Sequence, residues 1–217
     1  MHESTNITHG AGTVTVVFNS ESVSEIPAPI IRAGDFNELA MSCFTKKELS
    51  EINDGASAEV TFSYVMYDEA PNGKIQKQFE DFISTDNILQ QYDKGFYIDV
   101  VSFKTVGNGQ EEEFTSLSNN TELQVEVPLF LRNNDYEYCC LVNNMGAVKV
   151  LPDNDEAADT IAVNTDSTGC YLLLYKPSTL DSEGKKIQLR NQYVFLIGII
   201  ALLSLWIFME KLLNKAK

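Results

Sequence analysis

Histidine is the scarcest of the chemically versatile residues in this chain, and its placement limits the reactions to be considered. The only two histidines among the 217 residues, His2 and His9, lie beside the N-terminus. Serine and cysteine hydrolases need a base next to the nucleophile, and zinc sites need clustered imidazole or thiolate ligands. A glycine-rich phosphate loop is also missing. The sequence therefore predicts a protein that is not an enzyme and that carries no cofactor.

Cysteine is also scarce, which excludes a small disulfide-bonded scaffold. The four cysteines are Cys43, Cys139, Cys140 and Cys170, and no two of them form a Cys-x-x-Cys pair. Cys139 and Cys140 are adjacent in a predicted strand, so their side chains should point to opposite faces of a sheet. We expect buried thiols that act as small hydrophobic residues. A disulfide between Cys170 and one member of the adjacent pair is the alternative.

Basic residues are few over most of the chain. Up to Gln192 the sequence has 13 Lys and Arg against 30 Asp and Glu, a net charge of −17. Such a surface repels nucleic acid, which we do not expect as a partner. A hydrophobic content of 44% excludes a disordered chain, and the length allows one large domain or two small ones.

A single long uncharged apolar run is present, near the C-terminus. Residues 193–209 read YVFLIGIIALLSLWIFM, and a helix of this length covers about 26 Å, close to the thickness of a bilayer core. Tyr193 and Trp206 are residue types that favour the membrane interface, and Lys211 can extend its ammonium group to it. The sequence therefore predicts a transmembrane helix over residues 193–209, which makes the membrane a partner.

The flanks of this run leave the orientation open. Residues 177–192 form a polar linker and residues 210–217 a basic tail, with three Lys or Arg on each side of the run. The first twelve residues have no signal-peptide pattern and are expected to be disordered. One interpretation is a tail-anchored adaptor with its domain in the cytosol. The other is the last domain and anchor of a longer exported protein.

Between these ends, residues 13–176 predict a mainly β domain. TVTVVF at 13–18 and AEVTFSYVMY at 58–67 are typical of strands, and LQVEV at 123–127 alternates between apolar and polar residues. Eight or nine such strands with turn residues between them favour a β-sandwich-like domain with two short helical insertions. A division into two subdomains, over residues 13–92 and 93–176, is the alternative.

Local signals predict where the helices and hairpins begin. Thr45 and Glu48 match a capping box at the start of a helix that should end near Gly55. Residues 72–91 carry an apolar face at helical spacing, with a break expected at 84–86. Hairpin turns are predicted at 108–109 and at 143–146.

Two groups of residues are candidate sites. Asp153, Asp155 and Asp159 are close enough in sequence for a loose calcium cluster, although an ordinary acidic loop explains the same residues. The second group is a set of tyrosines that could form a sugar- or peptide-binding face, the alternative being cross-strand pairs packed on the core. These tyrosines are Tyr136, Tyr138, Tyr171 and Tyr175.

The order of the segments resembles a known family. Blocks at 44–65, 94–115 and 123–176 are similar to a β-rich domain near the C-terminus of surface proteins of Gram-positive gut bacteria of the Firmicutes type. The carrying features are Val127 and Pro128 at a strand end, the tyrosines near residue 136, the valines at 148–150, the acidic loop after Pro152 and Ser167 before the last strand. The similarity extends over residues 33–176.

The resemblance implies a location and a role. Residues before Tyr193 would be extracellular and the basic tail cytoplasmic, in a single-pass protein of the cell membrane. The domain would act as a spacer or interaction module, with a carbohydrate- or host-protein-binding module as the alternative. Two departures are that Asp166 stands where the family has an aromatic residue, and that no LPxTG wall-sorting signal is present. The missing signal favours the helix as the final anchor.

Overall fold

Alternating apolar and polar residues build most of the regular structure. The computed structural model describes residues 2–23, 27–155 and 157–178. The described residues are 53% strand and 17% helix, with two sheets and three α-helices among them, so the predicted mainly β class is confirmed and a third helix is added. The chain divides into two units, Met1–Lys176 and Pro177–Lys217, and the elements below belong to the first, apart from the last residue of the final strand.

The strands and helices follow one another in a mixed order. The strands within the described residues are β1 (His2–His9), β2 (Gly12–Ser22), β3 (Ile31–Ala33), β4 (Ser57–Tyr67), β5 (Asp93–Val106), β6 (Glu112–Phe114), β7 (Ser116–Glu126), β8 (Tyr136–Asn144), β9 (Ala147–Pro152), β10 (Thr160–Ser167) and β11 (Cys170–Pro177). The helices are α1 (Phe36–Ser42), α2 (Lys46–Asn53) and α3 (Gly73–Ser84), with a 3₁₀ turn at Leu89–Gln91.

The larger sheet has the strand order β1-β2-β4-β5-β11-β8-β9, with β6 paired to β5 outside this path. The smaller sheet has the order β10-β7-β3. Strands β2 and β4 run parallel, and β3, α1 and α2 lie between them in the chain. Since parallel neighbours need a long crossover, these three elements serve as that connection.

The two faces of the large sheet are covered differently. On β8, Tyr138, Cys140 and Val142 share one core with buried residues of β3, β7 and β10, while Cys139 and Leu141 share a second core with Phe79 of α3. This alternation places the small sheet, α1 and α2 on one face and α3 on the other. The predicted opposite orientation of Cys139 and Cys140 is confirmed.

Because β5 pairs with β4 on one side and β11 on the other, one sheet runs through residues 13–92 and 93–176. The alternative of two subdomains therefore differs from the structure, in which residues 1–176 form one unit. The reason is that ten residues of β4 pair with β5 across the supposed boundary, as many as pair between β2 and β4 within the first half.

Several local predictions are confirmed. The side chain of Thr45 accepts a hydrogen bond from the Glu48 amide, and the Glu48 carboxylate accepts one from the Thr45 amide, so α2 begins with the predicted capping box. Helix α3 ends at Ser84, where the break was expected. The β8–β9 hairpin turns through Met145 and Gly146, both with positive φ.

The N-terminus is a correction. Residues 1–12 were expected to be disordered, but β1 pairs antiparallel with β2 over eight residues, from His2 opposite Asn19 to His9 opposite Gly12. Ile7 is 7% exposed and joins the main core, which ties this polar strand to the sheet. A polar segment can thus be ordered by its partner strand, which a pattern search within the segment does not detect.

The predicted membrane anchor lies outside the part of the chain that the structure describes. This holds for residues 193–209, for the basic tail at 210–217 and for the linker beyond Ser178. Among the described residues, no helix combines the length and the apolar character needed to cross a bilayer.

Candidate functional site

Two of the four candidate tyrosines belong to the core. Tyr138 and Tyr171 are 7% and 6% exposed, and both lie between the two sheets. The Tyr138 hydroxyl donates to the Leu131 carbonyl at 2.6 Å, and the Tyr171 hydroxyl donates to the Ser167 carbonyl at 2.6 Å. Burial raises the pKa of both phenols. The expectation of an exposed binding face is wrong for these two residues, because the small sheet covers the face from which they project.

The other two tyrosines are half-buried at the edge of this core. The ring centroids of Tyr136 and Tyr175 are 5.2 Å apart, and those of Tyr136 and Tyr138 are 6.3 Å apart. Beyond them, the Lys176 ammonium lies 4.6 Å from the centroid of Tyr92 and 3.1 Å from the Glu137 carboxylate. Tyr136, Tyr138 and Tyr175 therefore form a packed series rather than a flat aromatic platform, and the Tyr136–Tyr175 contact between β8 and β11 agrees with the alternative of cross-strand pairing.

The acidic loop uses its carboxylates to close itself. Asp153 accepts hydrogen bonds from the Asp155 amide at 2.9 Å and the Ala162 amide at 3.0 Å. Asp155 accepts from the Ala157 amide and the Thr160 hydroxyl. Asp159 contributes through its backbone, whose carbonyl accepts from the Val127 amide. Burial, reinforced by the charge of Asp155, raises the pKa of Asp153 against the effect of the two amides.

The predicted calcium cluster is not assembled here. Among the described residues no group of three or more His, Cys, Asp or Glu side chains is placed to hold a metal ion. The amides around Asp153 and Asp155 occupy oxygen lone pairs that a calcium ion would need.

The four thiols are free and buried, as the sequence analysis favoured. Burial raises the pKa of Cys43, Cys139 and Cys170 to about 12 and also raises the pKa of Cys140. A nucleophilic cysteine needs a lowered pKa and access to solvent. These thiols therefore have the properties of packing residues.

One buried charge was missed from the sequence. The Lys104 side chain is 7% exposed, and its ammonium lies 2.8 Å from Oε2 of Glu48, the capping residue of α2. Burial alone would raise the pKa of Glu48, but the hydrogen bonds from Lys104 and Thr45 outweigh it and lower that pKa. The pair ties α2 to the middle of the large sheet.

A polar hollow on the outer face of the small sheet was also missed. It has a volume of about 170 Å³, and its lining brings three strands together: Ile30 before β3 and Arg32 within it, Gln124 and Glu126 of β7, and Asp159 and Thr160 at the start of β10. Gln124 and Glu126 were recognised as one face of a strand. The sequence held no signal that Arg32 and Thr160 would flank them.

Between the sheets lies a small apolar cavity of about 40 Å³. Phe18, Phe62 and Phe96 from the large sheet face Leu117 and Val125 from β7 across it. An engineered cavity that is known to admit benzene has a volume of roughly 150 Å³. The space is therefore a packing defect of the core rather than a pocket for an organic ligand.

Comparison of the chain with protein-family models, with curated protein sequences and with solved structures returned no significant match. The resemblance to the surface domains of Gram-positive bacteria therefore stays a prediction from the sequence blocks.

Proposed function

We propose that this chain is a non-enzymatic, membrane-anchored domain of a bacterial cell-surface protein. In this role the β domain is a rigid spacer and interaction module that stands outside the cell. The helix at residues 193–209 holds it in the membrane, and the basic tail at 210–217 remains in the cytoplasm.

The observation that carries the proposal is the uncharged run from Tyr193 to Met209. Seventeen residues without a charge are rare outside membrane helices, and interfacial residue types flank or end this run. A core helix of a water-soluble protein keeps a polar face, which this run does not have.

Features of the described domain support a structural role. Its two sheets share a continuous core, and its thiols have raised pKa values that disfavour the reactive thiolate. Its acidic loop is closed by its own hydrogen bonds. Such a domain can serve as a rigid spacer. The chain up to Gln192 carries a net charge of −17.

The experiment is a topology measurement in a Gram-positive host that expresses the chain with its native upstream DNA. External protease is applied to intact cells. We expect the β domain to be cut away while a fragment containing residues 193–209 stays in the membrane. Protection of the domain until the cells are lysed would overturn the proposal and favour the tail-anchored cytosolic adaptor.

A matched pair of variants tests the anchor itself. Ile200→Arg places a charge at the centre of the run, at a cost of about 2.5–3.5 kcal/mol for membrane insertion. Asn214→Arg adds the same charge after the run. We expect the first variant to lose the membrane fraction and the second to keep it. Equal behaviour of the two would contradict a transmembrane role for residues 193–209.

A second candidate function, a binding module for carbohydrate or host protein, is favoured by the polar hollow around Arg32. Its side chains offer a guanidinium, an amide and carboxylates on one face, the donors and acceptors that recognise hydroxyl-rich ligands. Calorimetry against a panel of glycans should show saturable binding that Arg32→Ala abolishes. Lys47→Ala, an exposed cation on α2, is the control. Equal loss in both variants would indicate non-specific charge attraction.

A further inference from the structure

Large apolar side chains that face solvent are concentrated unevenly on the domain. Leu129 and Phe130 are adjacent in the loop after β7 and are 80% and 60% exposed. Val23, which follows β2, is 66% exposed, and Met145 in the β8–β9 turn is 88% exposed. Exposed neighbouring apolar residues mark contacts with proteins or membranes more often than isolated ones do.

Strand directions show which end of the large sheet Val23 and the Leu129–Phe130 pair occupy. Strands β2 and β4 are parallel, β4 is antiparallel to β5, and β5 is antiparallel to β11. Strands β2, β4 and β11 therefore all end at the same end of the sheet. Val23 lies there, next to the end of β4, because its amide donates to the Met66 carbonyl.

The Leu129–Phe130 loop lies at this same end. The Leu131 carbonyl accepts the hydrogen bond of Tyr138, and Cδ1 of Leu131 is 3.3 Å from the position that a Cβ on Gly95 would take. Gly95 lies beside Leu173 of β11. Two residues further along β11, Tyr175 pairs with Asp93 at the start of β5. The loop is thus held beside the last residues of β11.

The same contacts fix the shape of the loop. Leu131 is 6% exposed and points into the core, and the Arg132 side chain donates to the Val127 carbonyl and pairs with Glu126. Because both sides of the loop are held, the two residues at its tip remain exposed while their neighbours are buried. The contacts of Leu131 and Arg132 therefore hold Leu129 and Phe130 in solvent.

Strand β11 ends at Pro177, and the uncharged run begins at Tyr193. The fifteen residues between them can span at most about 50 Å when fully extended. The chain thus leaves the domain at the end that carries Leu129 and Phe130, and the predicted anchor begins within that distance.

We propose that Leu129 and Phe130 insert into the interface of the bilayer that holds the anchor, so that the domain rests on the membrane by this end. The inference rests on the membrane attachment proposed above. Leucine and phenylalanine are the residue types that interfacial segments bury about 5–10 Å into the headgroup and acyl boundary. The test uses zwitterionic lipid, because with anionic headgroups the net charge of −17 would add repulsion to the interaction that is measured.

The test uses the full chain reconstituted into phosphatidylcholine vesicles. Phe130→Cys and Met145→Cys are each labelled with an environment-sensitive NBD fluorophore, and nitroxide-labelled lipid is added as quencher. Met145 is the control because it is 88% exposed, against 60% for Phe130, and lies at the opposite end of the sheet, where Asn143 near the end of β8 is close to Gly169 just before β11. The labelled wild-type chain is the blank, since its four thiols are buried.

We expect nitroxide quenching at position 130 at least about twofold stronger than at position 145, with a blue-shifted emission at 130, because an interfacial side chain contacts the lipid. Equal quenching at the two positions would overturn the inference. A blue shift at 130 without lipid quenching would also overturn it and would indicate contact with a second copy of the chain, the only protein in the vesicles.

Quenching of Trp206 by brominated lipid in the wild-type chain is measured in the same vesicles. If Trp206 is not quenched, the proposed membrane anchor has failed. If Trp206 is quenched and positions 130 and 145 behave alike, the anchor stands and only the interfacial role of the loop has failed.

Discussion

At the scale of single residues, the domain is organised around polar groups that burial forces into hydrogen bonds. The hydroxyls of Tyr138 and Tyr171 lie in an apolar core, where an unpaired hydroxyl is costly. Each finds a backbone carbonyl close to its own strand, Leu131 for Tyr138 and Ser167 for Tyr171. The two tyrosines therefore fasten neighbouring loops to the core.

We expect Tyr138→Phe to lower the free energy of unfolding by about 1–2 kcal/mol. The substitution removes the donor to the Leu131 carbonyl and the acceptor for the Asn133 amide, which lies 3.1 Å away. Tyr136→Phe is the control, because the Tyr136 hydroxyl has no hydrogen-bond partner among the described residues. Urea denaturation measures both variants, and an equal loss in the two would contradict the role of the Tyr138 hydroxyl.

The raised pKa values of the thiols predict that the free energy of unfolding depends on pH in the alkaline range. The folded chain holds the protons of Cys139 and Cys170 up to a pKa of about 12, whereas an ordinary thiol releases its proton near 9.0. Between these values the unfolded chain binds fewer protons, so the free energy of unfolding falls as pH rises, by about 1.4 kcal/mol per pH unit for each thiol. Below pH 9 the contribution is constant.

The check compares the slope of stability against pH between 9.5 and 11 in the wild type and in Cys139→Ala/Cys170→Ala. Tyrosines and lysines titrate in both chains and cancel in the difference. We expect a shallower slope in the double variant, by about two protons. Parallel slopes would show that these thiols ionise equally in the folded and unfolded chain.

At the scale of elements, the Glu48 side chain both caps α2 and attaches this helix to the large sheet. The Glu48 carboxylate accepts the Thr45 amide at 2.6 Å and the Lys104 ammonium at 2.8 Å. The first contact begins the helix, and the second attaches it to β5. The capping box was visible in the sequence because its two members are three residues apart. The partner on β5 was not, because it lies 56 residues away.

We expect Glu48→Ala to lower the free energy of unfolding by about 2–4 kcal/mol, because it leaves the buried Lys104 ammonium without its counter-charge. The double variant Glu48→Ala/Lys104→Met should recover part of this loss. Glu51→Ala breaks the exposed Lys47–Glu51 pair on the same helix and should cost under about 0.5 kcal/mol. Thermal and urea unfolding measure all three, and equal losses in the two single variants would contradict the argument.

The lowered pKa of Glu48 predicts how the free energy of unfolding changes in acid. A carboxyl group with a lowered pKa contributes stability that is present above its unfolded pKa, and this contribution is lost as pH falls through its folded pKa. The wild type should therefore lose more stability than the double variant Glu48→Ala/Lys104→Met on going from pH 6 to acid.

At the scale of the whole molecule, the large sheet makes residues 1–176 one unit. Strands β1, β2 and β4 come from the first half of the domain and β5, β11, β8 and β9 from the second, and the β4–β5 pairing joins them into one hydrogen-bonded order. In the small sheet, β3 of the first half pairs with β7 of the second. Because residues of both halves share the core between the two sheets, the domain should unfold in a single transition.

We test this with one core truncation in each half. Val60 of β4 and Leu172 of β11 are both fully buried. Val60→Ala and Leu172→Ala should each lower the midpoint of the same transition, with a loss of about 2–4 kcal/mol. Two separable transitions, each affected by one variant alone, would restore the division into subdomains at residue 92. Calorimetry of the full chain distinguishes the outcomes.

Local chemistry determined the features that the sequence predicted correctly. The strand at 13–18, the capping box at Thr45, the break after Ser84 and the opposite faces of Cys139 and Cys140 depend on residues a few positions apart. Backbone propensity and side-chain alternation act over that range, so the sequence alone specifies them.

Only the tertiary structure decided which faces are covered and which strands are neighbours. Tyr138 and Tyr171 are buried because the small sheet covers them. Residues His2–His9 form a strand because they pair with β2, and the hollow at Arg32 exists because β7 and β10 flank it. These pairings join residues far apart in the chain, and their free energy comes from burying apolar area against a distant partner. The residues of a single strand do not indicate which distant strand it will pair with. The uncharged run at 193–209 can be predicted to form a helix from its own sequence, because its expected partner is lipid and its backbone hydrogen bonds lie within the segment.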